Sequence, residues 1–174
     1  MTEQSHDHTV TIDSPRLPDG AAMWRVARDS GKLDLNSSYA YLMWCRDFAE
    51  TSVVARMGSD GTAVVGFVTG YIRPQAPETL VVWQVAVDAA YRGYGLAGRM
   101  LHRLADRLVP QGASALETTI TPANEASIAL FNGFARGRSA EISREELFPA
   151  DVFPDEHETE ILFRISPLYP APTL

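Results

Sequence analysis

Hydrophobic and polar residues along the chain follow two different periods, and the period changes several times. Alternation with a period of two, or a short unbroken apolar run, predicts a strand, whereas apolar residues three or four positions apart predict a helix. The predicted strands cover residues 9–12, 51–57, 63–71, 79–87, 115–120, 134–142 and 158–165, and the predicted helices cover residues 19–29, 38–50, 97–108 and 123–132. Gly133 is expected to end the last helix, and a proline- and acid-rich loop follows at residues 148–157. This order predicts an α/β sandwich around a mixed sheet.

The length and composition predict one domain. A chain of 174 residues that is 45% hydrophobic and 21% charged can bury one sizeable core. We assign the domain to residues 9–166, between a flexible N-terminal tail at 1–8 and a C-terminal tail at 167–174. The longest apolar runs, such as Ala63–Val68 and Leu80–Val87, are too short to cross a bilayer, and the N-terminus lacks a basic segment followed by an apolar one. We therefore expect a cytoplasmic protein.

The net charge and the cysteine content limit the classes of ligand that the protein is expected to bind. A net charge of −7 argues against nonspecific binding to nucleic acid and suits a cationic small molecule. Cys45 lies among apolar residues and cannot form an internal disulfide, so we expect a buried structural thiol. His6 and His8 flank Asp7 in a polar tail, and no cysteine and histidine cluster occurs elsewhere, so we predict no metal.

A glycine-rich segment, Gly93-x-Gly95-x-x-Gly98, follows an apolar strand and opens the third predicted helix. Unpaired backbone N–H groups and the positive end of the helix dipole make such a turn a binding site for a pyrophosphate. In a dinucleotide-binding fold the first glycine directly follows the first strand, whereas here residues 88–92 intervene after Val87 and three strands come earlier. These facts disfavour NAD.

The segment Arg92-x-x-Gly95-x-Ala97 after "WQVAV" resembles the pyrophosphate loop of the GCN5-related N-acetyltransferases, which bind acetyl-CoA. The later "TPANEASIALFNGF" resembles the second motif of that superfamily. Together the two motifs cover about residues 53–138. The resemblance implies a mixed, mostly antiparallel central sheet flanked by helices.

A second resemblance covers about residues 17–165. The segments "LDLNSSYAYL", "VVGFVTGYIRP" and "VVWQVAV" are similar to the branch of the superfamily that acetylates the γ-amine of L-2,4-diaminobutyrate in ectoine biosynthesis. This implies a small diamine substrate beside acetyl-CoA, with no nucleic acid or membrane partner. Members of this branch usually form homodimers, and Trp44 could lie at such a contact.

The resemblance also implies a set of cofactor contacts. The strand at residues 81–87 would diverge from its neighbour and leave N–H groups near Val85 and Val87 for the thioester carbonyl and the pantetheine amides. The loop backbone would take the pyrophosphate, and Asn124 would meet the pantetheine arm. The predicted contacts are Val85, Val87, Arg92, Gly93, Tyr94, Gly95, Leu96, Ala97, Gly98, Asn124 and Phe131.

The substrate site should offer groups that distinguish two amines. Asp34 stands between two leucines, which suits an aspartate that grips an amine, although a turn or capping aspartate fits the same pattern. Asn36, Tyr39 and Tyr41 could line the same pocket. Trp83 could pack the substrate or belong to the core. By resemblance, the loop with Glu156, His157 and Glu158 closes over the substrate; runs of charge are otherwise usually solvated.

Acetyl transfer needs a neutral amine, and at pH 7 deprotonation of an amine with a pKa near 10 costs about 4 kcal/mol. We expect His157 or a nearby glutamate such as Glu158 to begin a proton relay, and Val85 to stabilise the oxyanion. Many superfamily members carry a tyrosine that protonates the departing thiolate where this chain has Phe131, so Tyr39 or water is the expected proton source. Two alternatives remain: an acetyltransferase for a polyamine or aminoglycoside, and a noncatalytic acyl-CoA sensor.

Overall fold

A computed structural model describes residues 10–31, 33–58 and 62–169 of the chain. Within this part, seven strands and four α-helices form the molecule. In chain order they are β1 (Thr11–Asp13), α1 (Gly20–Ser30), α2 (Ser38–Asp47), β2 (Val53–Met57), β3 (Ala63–Arg73), β4 (Ala76–Val87), α3 (Leu96–Leu108), β5 (Ala115–Ile120), α4 (Glu125–Gly137), β6 (Glu141–Phe148) and β7 (Glu160–Ser166).

The strands form one sheet in the order β1-β2-β3-β4-β5-β7-β6. Only β4 and β5 pair in parallel, and every other neighbouring pair is antiparallel. This confirms the predicted mixed, mostly antiparallel sheet flanked by helices, and it excludes the doubly wound parallel sheet of a dinucleotide-binding domain.

Each face of the sheet packs against one pair of helices. On one face, Met23 of α1 and Tyr41 of α2 lie in a core with Phe67 of β3. On the other face, the apolar sides of α3 and α4 pack against β2 to β5 and β7. Cys45 is buried in the first core, where burial raises the pKa of its thiol to about 11, so the expectation of a structural thiol is confirmed.

β4 and β5 diverge after a short paired segment. They pair only at residues 79–81 of β4 and 115–117 of β5, although β4 continues to Val87 and β5 to Ile120. On the other side of β4, Thr69 pairs with Gln84 and Gly70 pairs with Val82, so Trp83 is the extra residue of a bulge. The result is a V-shaped gap in the sheet with Trp83 beside it.

The predicted end of the last helix was wrong. Helix α4 continues through Gly133 to Gly137, and the strand that was expected from residue 134 begins only at Glu141. Phe131, Phe134 and Ala135 are buried at helical spacing, and their burial outweighs the cost of about 1 kcal/mol of a glycine within a helix.

Two other boundaries also differ. Helix α2 ends at Asp47 instead of residue 50, because the chain turns at Phe48, whose ring packs on Trp44. The predicted C-terminal tail begins at residue 167, yet Leu168 is buried in the core under α3 and α4. Residues 1–8, with His6 and His8, and residues 170–174 lie outside the described residues. In the described part of the chain, no helix is long and apolar enough to cross a membrane.

Candidate active site

The glycine segment forms one wall of a cleft of about 410 Å³, which we call the loop cleft. Gly93 and Gly95 have positive φ angles of 85° and 69°, a conformation that other residues rarely adopt. Helix α3 begins directly after Gly95, and its first intrahelical bond runs from the Arg99 N–H to the Gly95 carbonyl. The N–H groups of the first turn therefore have no helical acceptor and can bind an anion.

The opposite wall of the loop cleft is the unpaired end of β4. The N–H of Asp88 donates to the Val65 carbonyl of β3. Because successive N–H groups of a strand point to opposite edges, those of Val87 and Val85 point away from β3 and into the gap beside β5. This is the edge on which the sequence places the thioester and pantetheine contacts.

Most of the predicted cofactor residues line the loop cleft. The lining residues from that set are Val85, Val87, Arg92, Gly93, Gly95, Leu96, Ala97, Gly98 and Asn124. The Arg92 guanidinium donates to the Val87 carbonyl at 3.1 Å and thereby joins the loop to β4. The Asn124 side chain caps α4 by accepting from the Ser127 N–H at 3.1 Å, which leaves its amide nitrogen for a ligand.

Two members of the predicted set do not line this cleft with their side chains. Phe131 is only 3% exposed and packs in the core, whereas its neighbour Leu130 reaches the cleft. The assignment of Phe131 to the cofactor is therefore corrected, since the helical turn directs its ring inward. Tyr94 is 73% exposed on the outside of the loop, so only its backbone remains a predicted contact.

A second cleft, which we call the sheet cleft, lies on the face of the sheet that α1 and α2 partly cover. It has a volume of about 520 Å³ and includes Trp83, Glu117 and Arg164 in its wall. Leu116 and Ile120 belong to the core under α3 and α4, so Glu117 between them points to the opposite face. Trp83 is 55% exposed in this cleft, which excludes the reading of a core tryptophan.

An acidic cluster lies on the same face of the sheet. The Nε2 atom of His157 is 3.8 Å from a carboxylate oxygen of Asp34 and 3.7 Å from one of Glu160. The Asp34 side chain is 98% exposed, whereas Oε2 of Glu160 is buried and has no hydrogen-bond partner among the described residues. A buried, unsatisfied carboxylate oxygen is costly unless a ligand supplies a donor.

The imidazole of His157 is held in a defined orientation. Its ring stacks on Phe153 with centroids 4.0 Å apart, and Nδ1 is 2.7 Å from the Glu158 carbonyl. A neutral imidazole must therefore carry its proton on Nδ1 and leave the lone pair of Nε2 facing Asp34 and Glu160. The Glu158 carbonyl, and then the carboxylates of Glu160, Asp34 and Asp155, raise the pKa of His157 above 6.5, although partial burial opposes them.

The structure places the other predicted substrate residues elsewhere. Tyr41 is fully buried and donates to Gln84 at 3.0 Å, so it does not line the pocket. Tyr39 is exposed on the first turn of α2. Glu156 and Glu158 are exposed, and within the described residues their carboxylates form no ion pair. Glu158 contributes its backbone carbonyl instead.

Sequence reasoning missed Glu160. It was read as part of an ordinary closing strand, but it is the first residue of β7 and stands three positions after His157. A carboxylate at the start of an apolar strand, directly after a histidine loop, is the signal that could have indicated it.

A basic cluster lines the sheet cleft further along β7. The buried carboxylate of Glu117 accepts from Arg164 at 2.6 Å and from Arg73 at 3.1 Å, and Arg164 also donates to the Thr79 hydroxyl at 3.3 Å. Two guanidinium groups face one carboxylate, so the cluster carries one excess positive charge. Residues 160 and 164 share a face of β7 and are separated by about 13 Å along the strand.

Comparison with known proteins agrees with this arrangement. The model of the acetyltransferase (GNAT) family matches residues 21–134. The chain therefore belongs to the GNAT acetyltransferase family. Within the described residues, no group of three or more histidine, cysteine or acidic side chains could hold a metal ion.

Three relatives define the branch within the family. The chain is 60% identical to the L-2,4-diaminobutyric acid acetyltransferase of Streptomyces coelicolor, over 91% of this chain and 94% of the relative. It is 49% identical to the protein of the same name from Marinococcus halophilus, over 91% of each chain. A solved structure of the diaminobutyrate acetyltransferase EctA from Paenibacillus lautus, in complex with its substrate L-2,4-diaminobutyric acid and coenzyme A, superposes with a TM-score of 0.86 at 38% identity, over 93% of this chain and 97% of that one. The chain thus belongs to the L-2,4-diaminobutyric acid acetyltransferases.

Proposed function

We propose that this protein transfers the acetyl group of acetyl-CoA to the γ-amine of L-2,4-diaminobutyrate and so forms N-γ-acetyldiaminobutyrate, a step of ectoine biosynthesis. One observation carries the proposal. The gap between β4 and β5 separates a cleft built for a pyrophosphate from the opposite face of the sheet, where the basic cluster lines the sheet cleft and the acidic cluster lies at the start of β7. Such a gap lets a thioester and an amine meet from opposite faces of one sheet.

The charges on this face of the sheet match those of the substrate. Diaminobutyrate carries two ammonium groups and one carboxylate at neutral pH. It spans about 6 Å from its γ-nitrogen to its carboxylate, and hydrogen bonds at both ends extend this to about 12 Å. This is close to the separation of Glu160 and Arg164 on β7. We place the γ-amine at the acidic cluster and the carboxylate at Arg73 and Arg164.

The acidic cluster supplies the proton chemistry. Asp34 and Glu160 attract the ammonium group, and the lone pair of His157 Nε2 accepts its proton. The two carboxylates then stabilise the imidazolium that forms. The neutral amine attacks the thioester carbonyl, whose developing negative charge is stabilised by the N–H of Val85. Phe131 cannot protonate the departing thiolate and Tyr39 lines neither cleft, so the proton comes from water.

The alternatives make different predictions. An acetyltransferase for a polyamine or aminoglycoside has no need of a basic cluster for a carboxylate. A noncatalytic acyl-CoA sensor keeps the loop cleft but needs no histidine between two carboxylates. Homodimer formation and a cytoplasmic location stay predictions, and Trp44, which packs on Phe48, keeps only part of its surface for a dimer contact.

The test is release of CoA from acetyl-CoA with diaminobutyrate, compared with lysine, ornithine, putrescine and kanamycin. Fragmentation mass spectrometry then locates the acetyl group. The proposal expects turnover of diaminobutyrate on the γ-nitrogen and at least tenfold lower kcat/KM with the other amines. Turnover of another amine in preference would reject the substrate, and CoA binding without turnover of any amine would favour the sensor.

A further inference from the structure

Gln84 connects strand β4, which also carries Val85, to the loop that carries Asp34. It directly follows Trp83 on β4 but is only 7% exposed, because it points into the space under α2. Its Oε1 accepts from the Tyr41 hydroxyl at 3.0 Å, and its Nε2 donates to the backbone carbonyl of Asp34 at 2.9 Å. The same strand carries Val85, one residue further on.

We infer that Gln84 is a positioning residue that fixes Asp34 against β4, and that it thereby holds the Asp34 carboxylate where it can bind the amine of the substrate. This inference rests on the proposed function. It assigns to Gln84 a part in substrate affinity, although the side chain lines neither cleft.

The position of Asp34 depends on this hydrogen bond because few other contacts fix the residue. The residue lies in the loop between α1 and α2, outside any helix or strand, and its carboxylate is almost fully exposed. A side chain in water is ordered mainly through its own backbone. The bond from Gln84 supplies that order and leaves the carboxylate oxygens free for an ammonium group.

Tyr41 sets the orientation of the Gln84 amide. Its hydroxyl is fully buried, and its ring packs edge-on against Phe67 with centroids 5.9 Å apart. Burial raises the pKa of Tyr41 against its hydrogen bonds to Gln84 and Asn36, so the phenol keeps its proton and acts as a donor. Because the backbone carbonyl of Asp34 can only accept, the NH₂ group of Gln84 must face it, and the amide oxygen then accepts from the Tyr41 hydroxyl.

The first variant is Gln84→Met, which keeps the volume and removes both hydrogen bonds. The KM for diaminobutyrate should rise about 10- to 100-fold, whereas kcat and the KM for acetyl-CoA should change less than about threefold. In an Asp34→Ala background the same substitution should raise that KM no further, because its effect passes through Asp34. A fall in kcat or thermal stability with an unchanged KM, or an equal effect in both backgrounds, would overturn the inference.

A second variant, Gln84→Glu, separates positioning from packing. When protonated, the new carboxyl accepts from Tyr41 and donates to the Asp34 carbonyl, so it reproduces both bonds; when ionised it can no longer donate. Burial should raise the pKa of this carboxyl. The ratio of its KM for diaminobutyrate to that of the wild type should therefore fall as the pH is lowered from about 8.5 to about 6, and the ratio for Gln84→Met should stay flat. A flat ratio for both variants would reject the positioning role.

Thr69→Val is the matched control. Thr69 pairs with Gln84 in the ladder, and its buried hydroxyl has no hydrogen-bond partner among the described residues. The substitution removes a polar atom beside Gln84 without touching the bonds to Asp34 or Tyr41, so the KM should change less than about twofold. Failure of the proposed function would show in the wild type as absent turnover of diaminobutyrate. Failure of this inference would leave turnover by the wild type intact and would show as equal KM values in wild type and Gln84→Met, or as one of the contrary outcomes named above for the two Gln84 variants.

Discussion

The two faces of the gap between β4 and β5 offer different parts of the chain to the ligands proposed for them. On the loop-cleft face, backbone N–H groups of one continuous segment, residues 92–98, converge with the free edge of β4. On the other face, Asp34, His157 and Glu160 converge from two segments more than a hundred residues apart. One half of the site is thus built from local backbone geometry, and the other half is built from side chains that only the fold brings together.

The difference bears on how much sequence change each half tolerates. Backbone groups are present whatever the side chains are, so the loop cleft needs only glycines at a few positions. Solved structures that are 14–22% identical to this chain share its fold with TM-scores of 0.66–0.72. The side chains of the sheet cleft can change without altering the sheet, and under the proposed function they would set the choice of acceptor.

Substitution of Glu160 should produce the largest effect. In Glu160→Gln the buried acceptor loses its charge, so the ammonium group and the imidazolium of His157 both lose a partner. We expect kcat/KM for diaminobutyrate to fall about 100- to 1,000-fold, with the KM for acetyl-CoA unchanged. Steady-state kinetics with each substrate varied in turn measure both values.

Glu158→Gln is the control for Glu160, since its carboxylate is exposed and only its backbone contacts His157. It should reduce kcat/KM less than about threefold. Equal losses in the two variants would mean that general negative charge, and not the position of Glu160, matters.

The second prediction concerns pH. His157 accepts a proton only when it is neutral, and its pKa is raised above 6.5 by the Glu158 carbonyl and the nearby carboxylates. Activity should therefore rise with pH through an acid limb above pH 6.5, measured as kcat/KM for diaminobutyrate. His157→Gln should lose about 10- to 100-fold at neutral pH and should lack this limb.

Glu160→Gln provides a second test of the pH dependence of kcat/KM. Removal of one carboxylate lowers the pKa of His157, so the residual activity should show its acid limb at lower pH than the wild type. An acid limb that stays in place in both variants would assign the proton transfer to another group.

The third prediction concerns the loop cleft, the half of the site that is built from backbone groups. Gly95→Ala forces a side chain into a left-handed conformation with φ near 69°, at a cost of about 1–2 kcal/mol. No atom lies within 4 Å of the added carbon, so the effect comes from the backbone alone. The KM for acetyl-CoA should rise about tenfold, and the KM for diaminobutyrate should stay unchanged.

Gly112→Ala is the control variant, because it introduces backbone strain outside both clefts. Gly112 has a φ of 109°, follows α3 outside both clefts, and also leaves open space for an added carbon. Because a φ of 109° lies outside the left-handed region that a side chain can occupy, Gly112→Ala should lose at least as much thermal stability as Gly95→Ala, but only Gly95→Ala should change the kinetics. If Gly112→Ala raised the KM for acetyl-CoA as well, general destabilisation would explain both.

The loop cleft could be predicted from the sequence for a physical reason. Glycine marks a backbone conformation directly, so the spacing of Gly93, Gly95 and Gly98 locates the turn and the helix start without knowledge of the rest of the fold. The error at Gly133 has the same origin. A glycine was read as a helix end, but the burial of Phe134 one position later kept the helix intact.

The sheet cleft could be predicted only in part. Resemblance indicated Asp34 and His157, and the side-chain chemistry of β4 indicated Trp83. The position of Glu160 at the start of an apolar strand is a local signal, but it does not show that this carboxylate is buried while those of Glu156 and Glu158 are exposed. Whether a carboxylate is buried depends on which strand lies opposite, and that is decided by pairing between β5 and β7. The place of Gln84 under Asp34 is likewise a product of packing between α2 and β4.

The smallest expected effect tests the basic end of the sheet cleft. Arg73 is about half exposed and shares Glu117 with Arg164, so Arg73→Met leaves the buried carboxylate one partner and should cost little stability. If the cluster binds the carboxylate of diaminobutyrate, kcat/KM for that substrate should fall about three- to tenfold, while kcat/KM for 1,3-diaminopropane, which has the same two amines and no carboxylate, should not fall. Equal losses for the two amines would mean that the basic cluster does not recognise the substrate carboxylate. Discrimination between substrates would then depend on the acidic cluster, where Asp34 and Glu160 can bind only the amines.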